Sequence, residues 1–439
     1  MKCIKKLSDR SMFKKIISTI FFRALLAGLT FLLAIVTSRY LGPAGKGDVS
    51  LFVLNLTIVQ LVNNFVGGSY IVYLVPRRNF MHLLFLSYGW ALVSAVAVPL
   101  GLSFFNLLDN GQVIPLMIIA FLFSLFSVNT MVFIGKEEIG KYNIISLLQV
   151  AVLLIVFVFS LKLFGIQSVI SYINAMYCST ALAFVSSFAL IAKYMTRLSL
   201  VNIGETFRET IQSGFLIQLA STAQLLSYRL SFYILDHFHI YGRKEVGIYS
   251  VAVSVSEALW LISQSVSLVL YGRISNTNDI HYSRKVTVSL IKIVFVATFA
   301  CTGLLLCFPS SLYEFIFGQG FGEVRDLLFP LSAGIVVFSV GIILSSYFVG
   351  NGRPLVCVIG SSIGLVITVV LGFSLIPEYG MMGAAATASV SYCAGVVYQL
   401  YKFMREADEL RLRDLVFIKN DIEIMRVELK NIFSEKKEL

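Results

Sequence analysis

Four ionisable residues lie inside long apolar runs of this 439-residue sequence: Arg23, Arg229, Glu257 and Lys292. A charge at the centre of a bilayer-spanning helix costs about 2.5–3.5 kcal/mol on insertion scales, so such a residue faces a partner, a water-filled cavity or an interface. Neighbours at helical spacing narrow the choice. Arg229 shares a face with Gln218 and Thr222, and Ser221, Gln224 and Tyr228 lie on the adjoining one. Ser250, Ser254, Glu257 and Gln264 form a second stripe, Thr57, Gln60 and Asn64 a third, and Arg23 is followed by Ala27, Thr30, Ala34 and Thr37. The chemistry on offer is a wet, positively charged lining, in which guanidinium groups hold an anion bidentately while hydroxyls and amides solvate uncharged polar cargo.

A plainer reading stands beside it. Ser, Thr, Asn and Gln also hydrogen-bond helices to one another, and Arg229 also fits a pair with Glu257. Arg23 has no Asp or Glu at depth in the first six runs to neutralise it, which leaves snorkelling to the interface or an anionic visitor. Lys292 reads as a snorkelling side chain. The candidate anion contacts are therefore Arg229 and Arg23. The candidate cavity-lining set is Gln218, Thr222, Gln224, Tyr228, Ser254, Glu257, Gln60, Asn64 and Thr30, with Glu257 also the candidate for ion coupling.

These residues need apolar helices to hold them. Fully 57% of the chain is apolar and only 13% charged, which excludes a water-soluble enzyme. A helical crossing takes roughly 20 apolar residues. Runs near residues 16–38, 49–75, 82–107, 112–135, 144–164 and 168–193, then 209–237, 246–271, 286–308, 326–349, 355–376 and 380–403, predict twelve spans in two groups of six. The expected division is an amino-terminal lobe over 1–200, a carboxyl-terminal lobe over 201–403, and a cytoplasmic tail over 404–439. The tail carries a heptad-like stripe from Leu415 to Ile432, suited to lying on the inner leaflet. The run at 49–75 contains Gly67 and Gly68, where a bend is expected.

The net charge of +11 is topology signal. With a cytoplasmic amino terminus, 26 of the 35 basic residues fall on the cytoplasmic side, so both termini are predicted inside. An offset of 215 pairs Phe133 with Phe348, Gly135 with Gly350, Gly165 with Gly380 and Tyr177 with Tyr392, while an offset of 200 pairs Gly47, Ser50 and Val53 with Gly247, Ser250 and Val253. Parallel repeats are implied, with the glycines at 135, 165, 350 and 380 expected to supply left-handed backbone at helix ends. Six cysteines in apolar surroundings read as small buried hydrophobes, and no metal or cofactor is expected. LGPAGKGDVS lacks the spacing of a phosphate-binding loop, and the outward loops are too short for a catalytic domain.

Five stretches in order resemble the polysaccharide flippase (Wzx-type, PST) branch of the MOP superfamily: SRYLGPAGKGDVS, GGSYIVYLVPR, GKEEIGKYNIISLLQ, the segment around Ser227–Ser275 (LLSYRLSFYILDHF, VGIYSVAVSVSEALWLI, LYGRIS), and that from Tyr347 (FVGNGRP, LIPEYGMMGAA, SVSYCAG). The resemblance implies an all-α, twelve-helix membrane protein of two six-helix lobes around a cavity lined by the first two spans of each half. It also implies transport of an undecaprenyl-diphosphate-linked oligosaccharide across a bacterial cell (inner) membrane, with membrane lipid and a glycan polymerase or other assembly proteins as partners and no nucleic acid. Arg229, in SYRLSF, falls where the motif usually carries Arg and becomes a diphosphate contact. Arg23 has no such motif support. The alternatives are a MATE-type drug or cation antiporter, which needs more buried carboxylate than Glu257, and a membrane glycan polymerase, which needs a longer outer loop.

Overall fold

The computed structural model describes residues 2–68, 70–75, 77–164, 168–195, 203–275 and 279–406; the heptad stripe, Gly165, and side chains before Phe21 lie outside the described residues. The chain is helical over almost all of its described residues, with short turns between the helices. Its order is α1 (Lys2–Gly67), α2 (Tyr70–Leu74), α3 (Phe80–Phe104), α4 (Val113–Gly135), α5 (Ile139–Phe164), α6 (Val169–Ile191), α7 (Ile203–Phe238), α8 (Gly242–Ser275), α9 (Ile280–Cys307), α10 (Ser310–Phe317), α11 (Val324–Gly350) and α12 (Pro354–Glu406). Among the described residues nine stretches are long and apolar enough to cross a membrane. Two of them, Phe21–Leu74 and Pro354–Arg405, run for 54 and 52 residues, against the roughly 20 that one crossing needs.

The sequence places loops where these two helices only bend. In α1, Gly42 takes φ 65° and is followed by Pro43, which has no N–H for the helical ladder. In α12, Gly380 takes φ 55° three residues after Pro377. The expected bend at Gly67 and Gly68 is instead a break, since α1 stops at Gly67 and a short α2 follows.

Two compact units emerge. Of the described residues, the first holds those up to 222 with 240–251 and 314–321, and the second those of 223–239, 252–313 and 322–406. In the first, α1 packs on α3 and α5, and α4 on α3 and α6, around Phe52, Val59, Leu116 and Phe157, with a second cluster at Leu74, Val132 and Phe133. In the second, α11 packs on α9 and α12 around Leu270, Val294, Leu344 and Phe348. Large apolar side chains such as Ile155, Phe159, Val366 and Phe373 stay exposed, as expected where lipid is the solvent. Polar groups turn inward. Tyr88 donates to Asn129 Oδ1 at 2.6 Å and Asn129 donates to Ser187 Oγ at 2.9 Å, tying α3, α4 and α6 together.

The repeat is visible in hydrogen bonds. After α4, Glu137 N–H donates to Ile134 O and Glu138 N–H to Phe133 O; after α11, Gly352 N–H donates to Val349 O and Arg353 N–H to Phe348 O. These are Schellman turns 215 residues apart. The left-handed residue is Glu137 (φ 58°) in one and Gly352 (φ 72°) in the other. Gly135 and Gly350, the glycines expected to adopt that conformation, have another task. A Cβ on Gly135 would lie 2.9 Å from Val75 Cβ, and one on Gly350 would lie 2.9 Å from Ile274 Cγ2, so both are sites of close approach.

Candidate functional site

In the second unit one residue from each of the α7 and α8 stripes comes into contact. Arg229 on α7 donates from Nη2 to Glu257 Oε1 on α8 at 2.5 Å, and its guanidinium lies 5.2 Å from the Phe232 ring. Of the two readings open for Arg229, the pair with Glu257 is the one present. The bond uses one terminal nitrogen, and the rest of the planar fork can take a second acceptor. Their side chains are 27% and 45% exposed, so the pair is not sealed within the protein.

One turn earlier on α7, Gln224 Nε2 donates to the Tyr228 hydroxyl at 2.8 Å. The Tyr228 ring meets Phe338 and Tyr392 edge-on at 5.3 and 5.2 Å, and Trp260 closes the cluster 4.5 Å from Phe338 with its indole N–H on Ile335 O. Beside this cluster lies a cavity of about 380 Å³, walled by α7, α8, α11 and α12 and lined by Gln224, Tyr228, Ser267, Ser345 and Gln399 among others.

The remaining candidates separate. Gln218 is buried with no partner for Nε2 among the described residues, and Thr222 bonds back to its carbonyl at 2.8 Å. Ser254 and Asn64 are half-buried. Gln60 is buried and donates to Ser124 Oγ on α4 at 2.9 Å, which is helix packing, and Thr30 bonds back to Leu26 O on its own helix. Arg23 is exposed on α1, with no carboxylate partner among the described residues. Lys292, expected to reach the interface, is only 8% exposed. The cysteines are less buried than expected: Cys178 and Cys307 are exposed, and Cys301, Cys357 and Cys393 are half-buried.

One constellation escapes a reading by polar stripes. In the first unit α1 crosses the start of α8 so closely that a Cβ on Gly47 would fall 1.9 Å from Arg243 O, and one on Gly247 would fall 1.8 Å from Pro43 O. The two contacts are each other's image at an offset of 200. Beside the crossing, Arg243 reaches Asp48 Oδ1 at 2.7 Å and Asp109 Oδ2 at 3.2 Å. Lys46, which falls between the first two apolar runs of the sequence, is buried and donates to Thr37 Oγ1 at 3.1 Å. The Gly47/Gly247 match was the signal. It marked a repeat, but not that the paired positions touch.

No family model matches the sequence. Over 317 residues, 69% of this chain and 77% of the other, it is 24% identical to the capsular polysaccharide biosynthesis protein CapF of Staphylococcus aureus. The lipid II flippase MurJ in an inward closed conformation superposes with a TM-score of 0.69 at 15% identity, covering 91% of this chain and 89% of that one. An inward-facing multidrug resistance MATE family transporter of the MOP superfamily gives 0.64 at 19% identity, over 87% and 94% of the two chains. The chain is a multi-pass α-helical membrane protein with the fold of the MOP superfamily, and its sequence resembles the polysaccharide flippase branch.

Proposed function

We propose that this protein flips an undecaprenyl-diphosphate-linked oligosaccharide from the cytoplasmic to the outer leaflet of a bacterial cell membrane, for O-antigen, capsule or exopolysaccharide assembly. The similarity to a capsular polysaccharide biosynthesis protein across two thirds of the chain, on the fold of a lipid flippase, carries this reading. Twelve crossings in two lobes (1–200 and 201–403), both termini in the cytoplasm and passage through a cationic cavity by alternating access belong to the same proposal. A diphosphate and several sugars cannot cross about 30 Å of hydrocarbon unaided. The protein solvates the head group while the prenyl tail stays in lipid.

Arg229 then works by exchange. The incoming diphosphate competes with Glu257 for the guanidinium fork, and Glu257 recaptures it on release, so the cation is never left bare in the membrane. Arg23 is the second diphosphate contact. The Gly47/Gly247 crossing and the Arg243 clamp seal the outward side while the head group loads from the cytoplasm. An antiporter of the MATE type would want a carboxylate free to exchange ions, and Glu257 is held by Arg229.

The test is complementation of a deletion strain. Arg229→Ala at equal protein abundance is expected to abolish surface glycan and leave lipid-linked oligosaccharide facing the cytoplasm. Arg229→Lys should recover little, because a point charge cannot hold the diphosphate bidentately. Normal surface glycan in Arg229→Ala would remove Arg229 from the site. Outward-facing but unpolymerised units on deletion would identify a polymerase instead.

A further inference from the structure

We infer that the cavity in the second unit is a subsite for an uncharged sugar ring, separate from the Arg229–Glu257 pair; this rests on the flippase reading and names which part of the cargo the cavity takes. At about 380 Å³ it falls within the 300–1,000 Å³ of small-molecule pockets. None of the side chains described as lining it is charged, so a diphosphate, an acidic sugar or a drug cation would lose its hydration there without a counter-charge. What the walls do offer suits a pyranose. Tyr228, Phe338 and Tyr392 present aromatic surface for the C–H face of a ring, while amides and hydroxyls surround it for the ring's own hydroxyls.

The hydrogen-bond state of those groups sets the site apart from a packing defect. Gln399 is 7% exposed, its Oε1 accepts only a 3.4 Å bond from Ser345, and no acceptor among the described residues takes its NH2 group. Two wall hydroxyls are already spent as donors on backbone carbonyls, Ser227 on Gln224 O and Ser391 on Gly364 O; Ser227 Oγ keeps its acceptor lone pairs, and Ser391 Oγ, which also accepts from Thr368 Oγ1 at 2.9 Å, keeps one. The cavity therefore holds a buried amide donor and a row of acceptors, the complement of a polyol. Empty voids in proteins are apolar, whereas a polar one holds water that a ligand with matching hydroxyls displaces. The small residues Gly360 and Gly395 are explained by helix packing, since a Cβ on either would lie within about 3 Å of the other's carbonyl, and they carry no weight here. Tyr271 and Val349 place the cavity toward the ends of α8 and α11, the side that the charge count makes cytoplasmic, where cargo loads.

Trp260 reports on the site, because it packs on Phe338 and Tyr392 and the chain has only one other tryptophan. In full-length Trp90→Phe protein in nanodiscs, lactose is expected to produce a saturable change in Trp260 emission, and glucuronic acid none. Gln399→Leu should raise the half-saturating lactose concentration at least tenfold. Gln224→Leu, on α7, should do the same, which covers the case of a Gln399 variant that does not fold. In vesicles carrying a prenyl-diphosphate-linked neutral trisaccharide, the Gln399 variant should flip that lipid at least tenfold more slowly while moving bare prenyl diphosphate at the wild-type rate. No saturable response to lactose, an equal response to glucuronic acid, or a response that both variants leave unchanged would overturn the subsite. Wild-type protein that flips neither lipid would overturn the flippase reading, and the fluorescence titration would still decide the cavity.

Discussion

The turn after α4 and the turn after α11 share a backbone and differ in chemistry. Both are Schellman turns, both follow a glycine pressed against a β-branched side chain, and they lie 215 residues apart. The first reads Glu137-Glu138 where the second reads Gly352-Arg353. Glu138 accepts from Lys141 Nζ at 2.6 Å, the Tyr194 hydroxyl at 2.6 Å and Lys193 Nζ at 3.3 Å, so the first turn is clamped to the end of α6. The Gly47/Gly247 crossing behaves the opposite way, with the same residue in both halves. The difference teaches where a duplicated fold is free to diverge. Positions where backbone meets backbone admit only glycine, whereas a turn that projects into water can exchange one charge for its opposite.

The largest effect should come from the crossing. Gly247→Val puts Cβ on Pro43 O, and only separation of α1 from α8 relieves the overlap. On the flippase reading proposed above, in which the sealed crossing serves only part of the transport cycle, the variant is expected to insert and accumulate near the normal level yet lose more than tenfold in surface glycan. Arg243→Ala, which removes the Asp48 and Asp109 clamp but no backbone contact, should lose only a fewfold. Equal losses in the two variants would mean that charge, not backbone approach, closes this side.

The turns give the next effect. Burial raises the pKa of the Glu138 carboxyl, but hydrogen bonds from Lys141, Tyr194 and Lys193 outweigh it and bring it from its ordinary 4.5 down to about 2. A carboxylate depressed in the folded state stabilises above its ordinary pKa, and that contribution fades as pH falls from about 4.5 towards 2. Glu138→Gln should therefore melt below wild type at neutral pH, with the gap closing across that acidic window. A gap that stays constant through the window would break the clamp argument. No such window is expected for Arg353→Gln in the matching turn.

The all-helical membrane fold was legible in the sequence because hydrophobic run length is a direct consequence of the bilayer. Helix boundaries at Gly42 and Gly380 were not. A Gly near a Pro signals a break, but whether the chain loops out or bends and continues depends on tertiary packing. The candidate site was half legible. Of the α7 and α8 stripes, Arg229 and Glu257 come into contact, and that pairing was one of two open readings. Gln399 and Ser345 were invisible, since an isolated amide late in a 53-residue helix has no periodic partner to mark it. Lys46 and Arg243 looked like loop charges because loops were assumed where the helices continue.

The smallest effect isolates backbone from charge in the two turns. Glu137 holds a left-handed conformation that costs an L-residue about 1–2 kcal/mol, and Gly352 holds it at no steric cost. Glu137→Gly relieves that strain but gives the unfolded chain more freedom, worth about 0.5–1 kcal/mol against it. The net should be a gain of up to about 1 kcal/mol, seen as a small rise in the thermal midpoint in detergent, with the Glu138 pH window intact. Gly352→Ala should move the other way by a similar amount, because alanine pays the conformational strain that glycine avoids. If both substitutions lowered the midpoint, Glu137 would be held there by contacts of its own side chain, and the two turns would be alike in hydrogen bonds but not in what keeps them folded.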